Sequence, residues 1–433
     1  MDERLKIAMS KESKAYDQRK SQAKPRDKIL PKKACPEQSR RVYIRTFGCQ
    51  MNVHDSERVK DLLLNDGYCL SDEPEDADVL LFNTCSVRKN AEDRVFGVVN
   101  SLKRLRKKNP SIIFGIMGCM AEAQRKSIFE RMSHVDFLCG PADLDKIPEI
   151  IDKIRDGARH LVYVGSHKSK SMPGFSKERN VETGYVKIVE GCDNFCSYCI
   201  VPYVRGRERS RPSEEILSEI KQLVDKEVKK ITLLGQNVNS YGKGLKEDIS
   251  FPELLRKIDM IANSAKSDPV RSNQVRSGRL EIDFMTSHPK DASVGLFEAI
   301  AGLKSLSKQL HLPLQSGSNK ILKRMNRGYT LEKYSKLVKD FRRIVKKGTI
   351  TSDFIVGFPG ETKKDFNDTL NTVKEIRFSG AYIFKYSPRP FTKASKLKDD
   401  VPTKEKERRH GLLLETQREI SKRLLRPPSA DSQ

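Results

Sequence analysis

The sequence contains no tryptophan and no uninterrupted apolar run of about 18 residues, the length that a membrane-spanning helix needs. Its N-terminus mixes basic and acidic residues and lacks the apolar core of a signal peptide. These absences argue against a membrane protein and against export, and they favour a cytoplasmic location. With 433 residues, the chain is long enough for two or three domains, each with its own core.

Acidic residues are scarce relative to basic ones. The sequence has 83 Lys and Arg against 58 Asp and Glu, which gives a formal net charge of +25. Because each phosphate that a basic side chain neutralises releases counterions, such a surplus favours a nucleic-acid partner. The alternative is a charged surface that is only solvated, with part of the excess in the tails.

Three cysteines stand in a C-x3-C-x2-C pattern without a fourth ligand close behind. Cys192, Cys196 and Cys199 lie in GCDNFCSYCIVPYVRGRERSR, and the nearest histidine, His167, is well upstream. Structural zinc normally takes four protein ligands. Iron–sulfur cubanes are usually held by four thiolates, so three thiolates would leave one iron open to an outside ligand. The pattern therefore favours such a cluster, with zinc or three unrelated core cysteines as the alternatives.

Three more cysteines end strand-like runs in the first half of the chain. VYIRTFGC ends at Cys49, ADVLLFNTC at Cys85 and SIIFGIMGC at Cys119, and a helical pattern follows each run. This alternation predicts an α/β domain with a doubly wound parallel sheet, at whose strand ends ligands gather. We expect the three thiols to converge there, although single buried strand cysteines are common. Cys139 holds a similar place on a fourth run and is interpreted as a core residue, with an extra ligand as the alternative.

A second series of strand-like runs alternates with helical patterns between about residues 184 and 386. Six such units predict a partial (βα)6 barrel with its chemistry at the carboxyl ends of the strands. Glycines and polar residues follow those strands and are predicted to bind a cofactor: Gly235, Gln236, Asn237, Ser287, His288, Gln315 and Gly357. For His288, a structural hydrogen bond is the alternative.

Composition divides the chain into five segments. They are a disordered basic extension (1–40), an N-terminal domain (41–157), a linker (158–179), a barrel domain (180–409) and a C-terminal helix and tail (410–433). Four arginines follow the cysteine loop of the barrel domain, and guanidinium groups suit phosphate or carboxylate. We predict RNA contacts for Arg205, Arg207, Arg209 and Arg211, with a solvated charge run as the alternative.

The two sets of three cysteines resemble those of the radical S-adenosylmethionine (SAM) methylthiotransferases, over about residues 41–408. TFGCQMNVHDSE, NTCSVRKNAEDR and LLGQNVNSYG are similar to the MiaB-type tRNA branch of that family. Ser86-Val87-Arg88 and Gln236-Asn237-Val238-Asn239 favour this branch over those that act on threonylcarbamoyl-adenosine in tRNA or on a ribosomal protein.

The resemblance implies a transferase that converts N6-isopentenyladenosine, adjacent to the anticodon on its 3′ side, to the 2-methylthio derivative. It implies two SAM molecules and two 4Fe-4S clusters, one held by each cysteine set, with Tyr198 beside the SAM adenine. The implied partners are tRNA and a one-electron donor of the flavodoxin or ferredoxin type, and the sulfur donor is left open. The alternative of another class is a non-catalytic iron–sulfur protein that binds RNA.

The sequence departs from the family pattern at two places. The family's YSPRPGTPA is YSPRPFTKA here, with Phe391 and Lys393 in place of glycine and proline. The match also ends where the family's small C-terminal β-barrel, called TRAM, begins. We therefore expect that domain to be absent.

Overall fold

A six-stranded parallel sheet organises the first half of the chain. The computed structural model describes residues 39–86, 89–165, 182–264 and 280–425. The strands of this sheet are β1 (Arg41–Phe47), β2 (Cys69–Leu70), β3 (Val79–Thr84), β4 (Ile113–Met117), β5 (Phe137–Cys139) and β6 (Leu161–Tyr163). They lie in the order β2-β1-β3-β4-β5-β6, and every neighbouring pair is parallel.

Helices cover both faces of this sheet. They are α1 (Gln50–Asn65), α2 (Lys89–Leu102), α3 (Arg104–Lys108), α4 (Cys119–Gln124), α5 (Ser127–Arg131) and α6 (Ile147–Arg155). Because side chains alternate along a strand, Leu80 and Phe82 of β3 belong to one core and Val79 and Leu81 to the other. Burial on both faces explains the continuous apolar run in β3. The predicted doubly wound sheet is confirmed.

Six parallel strands form an open barrel in the second half. The strands of this half are β7 (Thr183–Lys187), β8 (Val189–Glu190), β9 (Arg209–Ser210), β10 (Lys230–Leu234), β11 (Glu281–Met285), β12 (Gln309–His311), β13 (Thr349–Val356) and β14 (Gly380–Lys385). Strands β7, β10 and β11 form one parallel sheet and β12, β13 and β14 another, while β8 and β9 form a short antiparallel pair. A parallel bridge between Ile282 and Leu306 links β11 to the segment before β12. The predicted partial barrel is confirmed.

Helix α7 (Val201–Val204) packs against α4 of the first domain. The following helices line the outside of the barrel: α8 (Ser213–Asp225), α9 (Phe251–Ser264), α10 (Val294–Gly302), α11 (Asn319–Arg324), α12 (Leu331–Ile344), α13 (Lys363–Ile376) and α14 (Thr403–Leu425). Outward residues of the strands, such as Ile282 and Phe354, share one core with helix residues such as Ile220 and Phe341. Within the described ranges, none of the helices combines the length and the apolar character needed to cross a membrane.

Two elements cross the domain limits that composition predicts. Strand β6 pairs with β5 beyond residue 157, so the sheet continues into the predicted linker. Helix α14 runs on past residue 409, and Gln417 Nε2 donates to Phe378 O at 2.8 Å, which ties the helix to the barrel. Strand β6 has only three residues, too few to show an alternating pattern in the sequence. Residue 409 lies inside α14, where the composition does not change. Residues 1–38, 166–181 and 426–433 of the predicted extension, linker and tail lie outside the described residues, as do Val87 and Arg88.

Candidate active site

The carboxyl ends of β1, β3 and β4 carry the three N-terminal cysteines. Cys49 follows β1, Cys85 follows β3 and Cys119 begins α4 after β4. The chain leaves β1 for β2 on one side and returns to β3 on the other, which opens a crevice at this edge of the sheet. The Cys49 and Cys85 side chains are hydrogen-bonded, and Arg205 interacts electrostatically with both Cys49 and Cys119. The structure thus brings together the three thiols that the sequence separates.

The Cys49 thiol is primed to ionise. The Cys85 hydrogen bond, the Arg205 charge and the backbone N–H groups of Met51 and Asn52 at the start of α1 lower its pKa to about 6. Burial instead raises the pKa of Cys119 to about 11. Since the thiolate is the form that binds metal, Cys49 offers the first ligand of this set at neutral pH.

A buried amide network holds the Cys49 loop. Asn52 Oδ1 lies 3.3 Å from Cys49 Sγ, and Asn52 Nδ2 donates to Asn83 Oδ1 at 2.9 Å. Gly118, with a φ of 93°, passes so close that a Cβ there would lie 2.3 Å from Asn83 Oδ1. Sequence reasoning missed Asn52 and Asn83, although Asn83 stands two residues before Cys85 at a strand end, where a polar residue in an apolar run is a signal.

The second set of cysteines lies in the loop after β8. All three thiols are free, and burial raises the pKa of Cys192 to about 11 and that of Cys199 to about 12. Cys199 N–H donates to Cys196 O at 2.9 Å, which closes a turn between two of them. Ser197 N–H donates to Met325 O at 2.9 Å, so the segment after α11 braces the loop.

Arg327 and His288 flank Cys196. Arg327 Nη1 lies 3.3 Å from Cys196 Sγ, and its Nη2 donates to Pro313 O at 2.8 Å. His288 Nε2 lies 3.9 Å from the same sulfur. Burial and the Arg327 charge lower the pKa of His288 to about 2, so the ring is neutral. Because His288 Nδ1 accepts from Lys290 N–H, its proton is on Nε2, facing the sulfur. No pattern marked Arg327, which is 131 residues from Cys196.

Both donor sets fit iron–sulfur clusters better than a single metal ion. Across the described ranges, no group of three or more His, Cys, Asp or Glu side chains is close enough to hold one ion. A cubane distributes its thiolates over different iron atoms, whereas zinc gathers four ligands around one centre. Each set supplies three thiols that form no disulfide, and Arg205 or Arg327 lies close enough to offset the negative charge of thiolates. Cys139 is fully buried in the sheet core, as expected of a core residue.

Some polar side chains after β10 and β11 have hydrogen-bond partners within the protein, and one buried side-chain oxygen does not. Asn237 is occupied internally, because its Nδ2 donates to Asp291 Oδ2 at 2.7 Å and its Oδ1 accepts from His288 N–H at 3.2 Å. Ser287 Oγ donates to Asn239 Oδ1 at 3.0 Å. Gln236 Oε1, in contrast, is a buried acceptor without a hydrogen-bond partner in the described structure. Of this group, Gln236 is the side chain best prepared for a ligand.

The backbone at the other predicted cofactor contacts is engaged within the protein. A Cβ on Gly235 would lie 3.1 Å from Val189 Cβ, so this glycine permits close packing of the chain. Gln315 N–H donates to Asp353 O at 2.8 Å, and Gly357 N–H donates to Glu361 Oε2 at 2.6 Å, so neither backbone N–H is open to a ligand. Cofactor contacts through other atoms of these residues stay a prediction.

Tyr198 is partly buried beside the second cysteine set. It packs against a small core that contains Phe358 and Tyr386. Its hydroxyl accepts from Arg327 Nη1 at 3.3 Å. The ring therefore belongs to the wall around Cys196, and Arg327 joins the tyrosine to the sulfur.

The four arginines for which RNA contacts are predicted differ in their exposure. Arg205 and Arg211 are buried, and Arg211 Nη1 donates to Glu219 Oε2 at 2.8 Å. Arg209 lies 3.6 Å from Glu190 and is partly buried. Arg207 keeps 74% of its side chain exposed while pairing with Asp193 at 2.9 Å. A charge run shows the sign of its residues but not which carboxylates fold against it, so only Arg207 remains well exposed to a polyanion.

Buried ion pairs join the two domains around the cysteines. Arg205 Nη2 donates to Asp55 Oδ2 at 2.7 Å, and both side chains are at most 3% exposed. Arg389 Nη1 donates to Glu92 Oε2 at 3.1 Å. Cys119 and Ile200, the residue after Cys199, belong to one small hydrophobic cluster. The two cysteine sets therefore meet at one domain interface.

Asp55 makes the stability of this interface depend on pH. Burial alone would raise its pKa, but the Arg205 charge and the His54 hydrogen bond hold the pKa of Asp55 well below its usual value. Below about pH 4 the Asp55 carboxyl is protonated in the unfolded chain but stays ionised in the folded protein. The free energy of unfolding therefore falls as the pH drops. We expect the free energy of unfolding to fall less steeply between about pH 5 and pH 3 in Asp55→Asn, measured in urea. The exposed Asp156→Asn is the control, and equal slopes in Asp55→Asn and wild type would contradict the prediction.

Comparison with known proteins follows the same division of the chain. The uncharacterized protein family UPF0004 matches residues 41–140, and the radical SAM superfamily matches residues 186–373. A tRNA-2-methylthio-N(6)-dimethylallyladenosine synthase of Clostridium novyi (strain NT) is 45% identical over 388 residues, 89% of this chain and 82% of that protein. The chain belongs to this synthase family. Another member, from Carboxydothermus hydrogenoformans, is 43% identical over 88% of this chain and 83% of its own length.

Solved structures similar to this synthase-family chain share its fold. TsrM of Kitasatospora setae, a radical SAM methyltransferase, superposes with a TM-score of 0.58 at 14% identity, covering 82% of this chain and 77% of its own. The radical SAM enzyme OxsB has a TM-score of 0.52 at 11% identity, covering 89% of this chain and 56% of its own. The predicted resemblance to the methylthiotransferases is confirmed, and the radical SAM superfamily implies SAM and a 4Fe-4S cluster as cofactors.

Proposed function

We propose that this chain is a tRNA methylthiotransferase that converts N6-isopentenyladenosine, 3′ of the anticodon, to its 2-methylthio derivative. One observation carries the proposal: two sets of three cysteines lie at a domain interface, where Cys119 belongs to one hydrophobic cluster with Ile200, the residue after Cys199. Methylthiolation needs one centre that supplies sulfur and a second centre that generates the radical that activates the carbon. The two centres must lie close together. The curated relatives, named as tRNA-2-methylthio-N(6)-dimethylallyladenosine synthases, support the choice of substrate.

The cysteines divide into two ligand sets in this proposal. Cys49, Cys85 and Cys119 would hold one 4Fe-4S cluster, and Cys192, Cys196 and Cys199 would hold the other. When bound, the clusters and SAM would supply one-electron cleavage of the SAM sulfonium bond and the transfer of sulfur and methyl. The N-terminal domain, whose last strand is β6, carries the first set. The barrel domain, whose last helix is α14, carries the second.

Other side chains of this chain orient and shield the centres. Arg327 fixes the Cys196 loop by bonding both the thiol and Pro313 O, and its charge offsets that of a thiolate. Neutral His288 directs its Nε2 proton at the same sulfur. Gln236, with its unpartnered Oε1, is placed to accept from the SAM amino group. Burial of Arg205 and Asp55 between the domains keeps water from the space behind Cys49 and Cys119.

The proposal also assigns partners. The surplus of basic residues favours tRNA, and the electron would come from a donor of the flavodoxin or ferredoxin type. The electron donor would have to dock on the protein near one of the clusters, because electron transfer is efficient only over short distances.

The proposed substrate can be tested with tRNA nucleosides. We expect the anaerobically reconstituted chain, with SAM and a reductant, to convert isopentenyladenosine in tRNA to the 2-methylthio nucleoside, detected by mass spectrometry. The matched controls are tRNA with threonylcarbamoyl-adenosine and the ribosomal protein substrate, neither of which we expect to change. Modification of either control in place of isopentenyladenosine would refute the substrate assignment. A protein that binds tRNA but releases no 5′-deoxyadenosine would refute the proposed activity.

A further inference from the structure

Three aromatic rings, two partly buried and one exposed, lie in a row near the two cysteine sets. We call Phe195, Tyr203 and Phe391 the aromatic row. The ring centroids of Phe195 and Tyr203 are 6.1 Å apart with the rings at 87°, and those of Tyr203 and Phe391 are 6.3 Å apart with the rings at 36°. The guanidinium of Arg207 lies 5.4 Å from the Phe195 centroid and extends the row at that end. Two segments about 190 residues apart in sequence thus meet in this row, and Phe391 is its exposed member.

Phe391 has an energetically unfavourable backbone conformation. Its backbone φ is 67°, in the left-handed region that bulky side chains rarely adopt. Its side chain is 50% exposed, so packing within the protein recovers only part of the cost. A strained backbone and an exposed large ring at one residue point to a contact with something outside the protein.

The turn that carries Phe391 is held on both sides. Thr392 Oγ1 donates to Arg389 O at 2.7 Å, and Arg389 is fastened to Glu92 of the first domain. Ala394 N–H donates to Ser197 O at 2.7 Å, inside the C-x3-C-x2-C loop. The Phe391 ring is therefore preorganised relative to both domains, and a ligand would pay little ordering entropy to use it.

The aromatic row lies next to the proposed chemistry. Phe195 immediately precedes Cys196, and Tyr203 packs at the cluster of residues that contains Cys119. The exposed Lys393 follows Phe391 by two residues, and Arg207 lies at the far end. Aromatic faces between cations are the arrangement that binds unpaired nucleotides, because the rings stack on bases while the cations meet phosphates.

We propose that Phe391, the exposed ring of the aromatic row, stacks on an unpaired base of the RNA substrate next to the adenosine that is modified, an inference that rests on the proposed function. An anticodon loop offers such bases, whereas a paired stem hides their faces. Stacking there would hold the loop in place while the neighbouring adenosine enters the interface. Phe391, where the family pattern has glycine, would add a ring to the row in this chain.

Phe391→Gly tests the inference without disturbing the fold, because glycine adopts a positive φ freely. The full chain, reconstituted with clusters, is titrated with an anticodon stem-loop that carries isopentenyladenosine and a 2-aminopurine in the loop. We expect about tenfold weaker binding and loss of 2-aminopurine quenching in Phe391→Gly. Phe391→Tyr should restore both, and the exposed Met260→Ala on α9 should bind as the wild type does. Equal unfolding temperatures would show that the variants are folded.

A duplex of the same length without a loop separates stacking from charge. We expect the wild type and Phe391→Gly to bind that duplex equally. Equal binding of the stem-loop by both proteins, or an equal loss on stem-loop and duplex, would overturn the inference. If the wild type binds and quenches the stem-loop in the expected way yet never modifies it, the proposed function fails while the stacking surface stands.

Discussion

Replacing Cys196 with alanine is expected to abolish the release of 5′-deoxyadenosine from SAM, whereas replacing Cys49 leaves that release intact and abolishes methylthiolation. The two thiols lie in different loops on different domains and belong to separate sets of three cysteines. Each set needs all three thiolates, because a cubane with two protein ligands has two unprotected irons. Loss of one ligand should therefore remove one centre and leave the other loaded.

Iron analysis of anaerobically purified protein measures this separation directly. We expect about eight irons per chain in the wild type and about four in either variant, with deoxyadenosine and modified nucleoside followed in parallel. Cys139→Ala is the matched control, since Cys139 also ends a strand of the same sheet but is buried in its core. Its iron content should equal that of the wild type. Loss of iron in Cys139→Ala, or of deoxyadenosine release in Cys49→Ala, would contradict the division into two sets.

Arg205→Leu is expected to have the largest effect on stability, lowering the free energy of unfolding by about 3–5 kcal/mol. The guanidinium bonds Asp55 at 2.7 Å and Glu190 at 3.4 Å, and all three side chains are at most 10% exposed. Leucine would leave Asp55 buried without the guanidinium that it pairs with, whereas Glu190 would keep Lys187 at 3.1 Å. The desolvation cost of the Asp55 carboxylate would then be uncompensated, because water cannot reach it in the folded protein.

Urea unfolding of the cluster-free protein, followed by circular dichroism, gives the measurement. Arg207→Leu is the control, since that side chain is 74% exposed and its surface ion pair contributes about 1 kcal/mol or less. The double variant Arg205→Leu with Asp55→Leu should recover part of the loss, because it removes the carboxylate that Arg205→Leu leaves unpaired. A loss in Arg205→Leu no greater than in Arg207→Leu would show that the buried pair does not hold the interface.

The sequence by itself determined the two folds and the two cysteine sets. Alternating apolar runs and helical patterns are local, and they predicted both the doubly wound sheet and the barrel. Parallel strands end at a common edge, so residues after strands converge whatever the loops between them do. That rule was enough to group Cys49, Cys85 and Cys119, which are 36 and 34 residues apart.

Only the tertiary structure decided what the polar and aromatic residues face. Arg205 was predicted to bind RNA and is instead buried against Asp55, which lies 150 residues away. Arg327 reaches Cys196 from a distant loop, and Phe391 joins Phe195 and Tyr203 in one row. The type of a side chain sets its charge and shape, but its partner depends on which segments pack together. That packing is a property of the whole folded chain, and no local pattern contains it.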